Sequence, residues 1–114
     1  MDDNERARQQ IIRIMEQHKG KANAIVKDRF LYDLGMTGVF FEDERKFREV
    51  IHDMRQEGYL ILSGSTGYYM ASSRSEFDEF AEMELLSRIK DLAKTISKMR
   101  ASATIQFGKQ RQLI

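Results

Sequence analysis

The side chains with the greatest capacity for directed chemistry lie between Asp43 and Gly58: the cations Arg45, Lys46, Arg48 and Arg55, and the imidazole of His52. A guanidinium presents a rigid fork of donors that grips two acceptors at once, and an ammonium is a compact point charge. Both suit phosphate oxygens and base edges rather than bond breaking. Covalent or acid–base chemistry has no comparable set. The chain contains no cysteine, which excludes disulfides and thiolate metal sites. Its two histidines, His18 and His52, lack an adjacent nucleophile and carboxylate set. Glu49 and Asp53 neighbour His52 only at ordinary helix-surface spacing. Gly64-Ser65-Thr66-Gly67 lacks the lysine and the following helix of a phosphate loop. The expectation is binding rather than catalysis, with no enzyme activity, no cofactor and no metal.

Further groups suited to anions lie outside that stretch. Lys19, Lys21, Lys27 and Arg29 bracket the start of an expected helix, and lysines beside a helix N-terminus suit phosphate. Thr37, Ser63, Ser65 and Thr66 carry hydroxyls that can donate to phosphate oxygens. Acidic neighbours compete: Asp43, Glu44, Glu49, Asp53 and Glu57 outnumber Arg45, Lys46, Arg48 and Arg55. A solvated helix, or one that docks on a protein, has the same composition. Net charge is only +1, so the balance of charge does not itself announce a nucleic-acid binder.

The elements that must position these groups follow from apolar periodicity. A first helix is expected from about Asn4 to His18, with Ile11, Ile12, Ile14 and Met15 on its apolar face and Gly20 beyond its end. A second runs from Asn23, a good N-cap, to Leu34, turns Ala24, Ile25, Phe30, Leu31 and Leu34 inward, and closes at Gly35. Met36 to Phe41 is an apolar loop, some of whose bulky residues are expected to pin it to the core. A third helix spans Asp43 to Gly58, where Phe47, Val50, Ile51 and Met54 fall at i, i+3, i+4 and i+7. Tyr59–Leu62 and Gly67–Ala71 are strand-forming runs joined by Ser63-Gly64-Ser65-Thr66, a β-hairpin pattern. The fold class expected is mainly α with a small β-hairpin: residues 1–73 form one domain, 74–103 a long helix and 104–114 a flexible tail.

Three short helices followed by a hairpin is the order of a winged helix-turn-helix. The run Phe47-x-x-x-Ile51-x-x-Met54-Arg55-x-x-Gly58-Tyr59, followed by Gly67-Tyr68-Tyr69, resembles the recognition helix and wing of that family. It is similar to the DNA-binding domain of the biotin repressor and to small phage and prophage winged-helix proteins in which a long helix follows the wing. The resemblance implies sequence-preferring binding of double-stranded DNA, in transcription regulation or replication of a phage or mobile element. It places Arg45, Lys46, Arg48 and His52 toward the major groove, with Lys27, Thr37, Ser65 and Thr66 toward phosphates. The alternative is a winged helix that docks a protein partner. The connection from Gly35 to Glu42 is longer than the tight turn usual in this family.

The last helix is expected from about Ser75, as N-cap with Asp78 three residues on, to Ala101. Acidic Glu76, Asp78, Glu79, Glu82 and Glu84 lead it, and Arg88, Lys90, Lys94, Lys98 and Arg100 follow, a distribution suited to the helix macrodipole. Leu85, Ile89, Leu92, Ile96 and Met99 alternate at spacings of four and three, a coiled-coil seam that points to a homodimer. The alternative is a helix folded back along the first one. Phe77, Phe80 and Met83 are expected to pack toward the wing. No apolar run approaches the roughly 20 residues of a bilayer span. The acidic start Met1-Asp2-Asp3-Asn4-Glu5 is unlike a secretory signal, so a cytoplasmic location with no membrane partner is expected.

Overall fold

In the computed structural model of the chain, which describes residues 2–108, helix α1 spans Asp3–Glu16. Asp2 caps it, its carboxylate accepting from the Glu5 amide at 2.7 Å. Ala7, Ile11 and Met15 recur every four residues and are buried. The chain divides at Asp78 and Glu79 into two units, and α1 opens the first, the hairpin unit.

After α1 the backbone does what the sequence did not announce. Residues 18–25 run beside the second hairpin strand instead of starting a helix. His18 O accepts from Met70 N at 2.9 Å, Gly20 N donates to Met70 O at 2.8 Å, and Ile25 and Tyr68 exchange both backbone bonds at 2.8 Å. This corrects the expected helix start at Asn23. Lys21–Asn23 makes one 3-10 turn, the Asn23 side-chain amide donates back to Lys19 O at 2.9 Å, and helix α2 spans Lys27–Met36. Ile25 is β-branched and apolar. Buried against an open strand edge it satisfies its backbone as fully as a further helical turn would.

Phe30 and Leu34 of α2 are buried, as expected. The helix runs past Gly35, and the left-handed residue is Gly38, at φ 85°. Thr37 N and Val39 N both donate to Leu34 O at 3.0 Å, closing the last turn. The apolar loop splits its roles: Val39 is buried and Phe41 half-buried, whereas Met36 and Phe40 face solvent.

Helix α3 spans Glu44–Gln56 and is capped by Asp43, whose carboxylate accepts from Lys46 N at 2.9 Å. Its stripe behaves as the spacing predicts. Phe47, Ile51 and Met54 are buried with Ile11, while Val50, Ile14 and Leu31 pack half-buried around them. Phe47 centres an edge-to-face cluster, with Phe30 at 5.2 Å, Phe41 at 5.4 Å and Tyr68 at 5.6 Å between ring centroids. One side chain thereby joins α2, the apolar loop, α3 and the hairpin.

Strands β1 (Ile61–Gly64) and β2 (Gly67–Met70) pair antiparallel, Ile61 opposite Met70 and Gly64 opposite Gly67, with Ser65-Thr66 as the turn. Gly67 is required by close approach: its φ is 120°, and a Cβ there would lie 2.2 Å from Ile25 O. Helix α4 spans Arg74–Phe80. Its start corrects the expected cap. Ser73 Oγ, not Ser75, accepts from Glu76 N at 3.1 Å, and the Glu76 carboxylate accepts from Ser72 N at 2.9 Å and Lys21 N at 3.0 Å. Ser73 thus caps α4 two residues earlier than expected, and Glu76, three residues on, reaches back to the amide of Ser72 rather than to that of Ser73 itself. Asp78 instead accepts from Arg74 Nε at 2.9 Å.

The second unit contains a π-helical segment, Ala81–Leu86, followed directly by helix α5, Ser87–Phe107. The helix extends beyond the expected end at Ala101, so residues 104–107 of the expected tail are helical, whereas 109–114 lie outside the described residues. Phe77 is half-buried, Phe80 buried and Met83 exposed. No residue of α5 is buried. The described residues are thus mainly helical with a small antiparallel hairpin and a long C-terminal helix, the class expected. No helix among the described residues is long and apolar enough to cross a membrane.

Candidate functional site

Because α3 turns Phe47, Ile51 and Met54 into the core, Arg45, Lys46, Arg48 and His52 all face solvent. Their surroundings differ. Arg45 Nε lies 3.1 Å from Glu49 Oε1, one turn on, and Lys46 Nζ lies 3.8 Å from Glu49 Oε2. Arg48 has no ion-pair partner within 4.0 Å among the described residues, though its charge helps hold the Glu44 carboxyl low. Arg55 leaves the exposed set altogether. Its Nε donates to Ile61 O at 2.6 Å and its Nη2 to Ser63 Oγ at 3.1 Å, tying α3 to β1.

Lys27, at the first position of α2, reaches across to α3, its Nζ 2.9 Å from Glu44 Oε1. The hydrogen bond, reinforced by charge, raises the Lys27 ammonium above the usual lysine range and lowers Glu44 below the usual carboxylate range. Lys27 also lines a shallow groove of about 390 Å³ with Val26, Ser63, Ser65 and Tyr68. The start of α2 and the hairpin turn are therefore brought together, with Ser65 and Thr66 exposed at the tip. Thr37 is not free to donate outward, because its hydroxyl donates to Leu34 O at 2.7 Å. Arg29 pairs with Asp33 at 2.9 Å and lies over the Tyr32 ring.

Lys46 has a second neighbourhood. It lines a cleft of about 680 Å³ between the start of α1, the 38–42 loop and α3, whose wall includes Arg6, Glu42, Asp53 and the exposed Phe40. Arg6 Nη2 donates to Thr37 O at 2.8 Å, bracing that loop. Sequence reasoning did not single out Phe40 or Arg6. The available signal was the run Val39-Phe40-Phe41, in which three consecutive bulky residues cannot all face one core.

In the second unit, Leu85, Ile89, Leu92, Ile96 and Met99 are all exposed, Leu92 at 62% and Met99 at 66%. Met83, Leu86, Ile105 and Phe107, which the seam did not include, are exposed as well. Among the described residues no group of three histidine or carboxylate side chains is arranged to hold a metal. Comparison of the chain with protein families, with curated proteins and with solved structures gives no match.

Proposed function

We propose that the chain is a cytoplasmic double-stranded DNA-binding protein of winged-helix type that lays α3 in the major groove. The observation that carries this reading is the outward row Arg45, Arg48 and His52 on a helix fixed from behind by Phe47, Ile51 and Met54. A rigid helix with unburied guanidiniums is what reading of base edges needs. Lys27 and Ser65 line one groove, Thr66 is exposed beside Ser65 at the turn, and these groups supply phosphate contacts. The Arg45–Glu49 and Lys27–Glu44 pairs are exposed, hence salt-screened and able to yield to a phosphate or a base. Transcription regulation or replication of a phage or mobile element is the setting that the winged-helix-like pattern of Phe47–Tyr59 and Gly67–Tyr69 implies.

Selection from a random oligonucleotide pool tests the reading, with enrichment of a preferred duplex expected. Arg48→Ala should then weaken that duplex by about 1–3 kcal/mol and relax one base position. Lys27→Ala should weaken all duplexes alike and lower the salt slope by about one. Failure of the folded protein to enrich any sequence at low salt overturns the proposal. A second reading, docking of a protein on the α3 face, is favoured by one specific observation. Glu44 and Glu49 occupy Lys27, Arg45 and Lys46, leaving a face of mixed charge. Binding of a protein partner with no salt-dependent affinity for random duplex would select it.

A further inference from the structure

We propose that the Leu85–Met99 face of one copy of the chain packs against the same face of a second copy with the two helices antiparallel. The pairing is independent of what α3 binds. Its first support is the uncovered stripe. Ile89, Leu92, Ile96 and Met99 are between 52% and 66% exposed, and no described residue of α5 is buried. A helix of 21 residues gains little from propensity alone, and an apolar row of this length is covered in a stable protein.

Charge selects the occupant and its direction. Glu79, Glu82 and Glu84 precede the seam without an intervening cation, while Lys94, Lys98 and Arg100 flank its far end without an anion. Parallel copies would set each cluster beside its own likeness. Antiparallel copies set the acidic start of each against the basic end of the other, twice per dimer. The spacing of the seam accommodates this. With the crossing centred between Ile89 and Leu92, each Leu85 lies opposite Ile96 of the second copy and each Ile89 opposite Leu92, while Met99 ends the apolar layers on each side, opposite Glu82. Glu82 and Glu84 then run alongside Lys98 and Arg100.

Sedimentation of the full chain at tens of micromolar should show a dimer whose dissociation constant rises about tenfold between about 50 and about 500 mM NaCl. A monomer, a higher oligomer, or a dimer that tightens with salt would overturn the proposal. Lys98→Glu with Arg100→Glu should weaken the dimer, and adding Glu82→Lys with Glu84→Lys to that chain should restore it. In a parallel dimer the first pair of changes would merely exchange one repulsion for another, so an unchanged affinity counts against the proposal. Absence of native cysteine permits a direct test of direction. Leu85→Cys mixed with Ile96→Cys should give the mixed disulfide, because a disulfide forms only when the Cα atoms come within about 7 Å. A disulfide between two Leu85→Cys chains would mean parallel helices and would sink the idea.

Discussion

Helices α3 and α5 carry the same kind of apolar periodicity and meet opposite fates. In α3 the residues Phe47 and Met54 are 0% exposed, whereas in α5 Leu92 and Met99 keep more than half their surface. The difference is not in the helices. Phe47 finds Phe30, Phe41 and Tyr68 brought to it by three other segments, while no residue of α5 is buried. Periodicity identifies which side chains share a face. What covers that face is a property of the remainder of the chain, or of another one.

The sharpest way to break this comparison is to truncate one member of each stripe. Phe47→Ala should destabilise the hairpin unit by about 3–5 kcal/mol in urea unfolding. Leu92→Ala, measured where the chain is monomeric, should change the same transition by no more than about 0.5 kcal/mol. Equal effects would mean that α5 belongs to a core just as α3 does. Next in size, Gly67→Ala should cost about 2–3 kcal/mol through its left-handed φ and the collision with Ile25 O. Gly64→Ala, with open space around its Cβ, is the control and should fall within about 0.5 kcal/mol. A smaller effect is expected where α4 begins. Ser73→Ala should cost about 1 kcal/mol and Ser75→Ala much less, which distinguishes the observed cap from the one the sequence suggested.

The smallest effect is one of pH. Backbone amides of Lys21 and Ser72 hold the Glu76 carboxyl below its ordinary value in the folded state. A depressed folded pKa contributes stability that is fully present above the unfolded value of about 4.3 and is lost as pH falls through the folded one. Glu76→Gln should therefore flatten the acid limb of the stability curve below about pH 4 while leaving its shape near neutrality unchanged. An acid limb identical to that of the parent would assign the pH dependence to other carboxylates.

The helices, the hairpin and the α3 core residues were legible because each declares itself within a few residues. The Phe47–Ile51–Met54 stripe needs only its own helix to be recognised. The strap at residues 18–25 was not legible, since Ile25 reads as helical until Tyr68 offers its backbone from far along the chain. The candidate site was half legible for the same reason. Exposure of Arg45, Arg48 and His52 follows from the stripe behind them. The capture of Lys27 by Glu44 and of Arg55 by Ile61 O depends on how separate elements meet. The cap of α4 was misread although a local signal was present: Ser73 has Glu76 three residues on, Ser75 only the shorter Asp78, and the Glu76 carboxylate is held by the amides of Ser72 and Lys21.

The bond pair between Ile25 and Tyr68 also has a kinetic meaning. It closes a loop holding all of α2, α3 and β1, so its formation carries the full entropy of bringing distant segments together. Helix α5 needs only neighbours along its own length. The order of events in refolding should accordingly run against the order of final protection. Helical signal from α5 arises early yet remains open to solvent deuterium, whereas the Ile25 and Tyr68 amides form late and then exchange only when the whole hairpin unit opens.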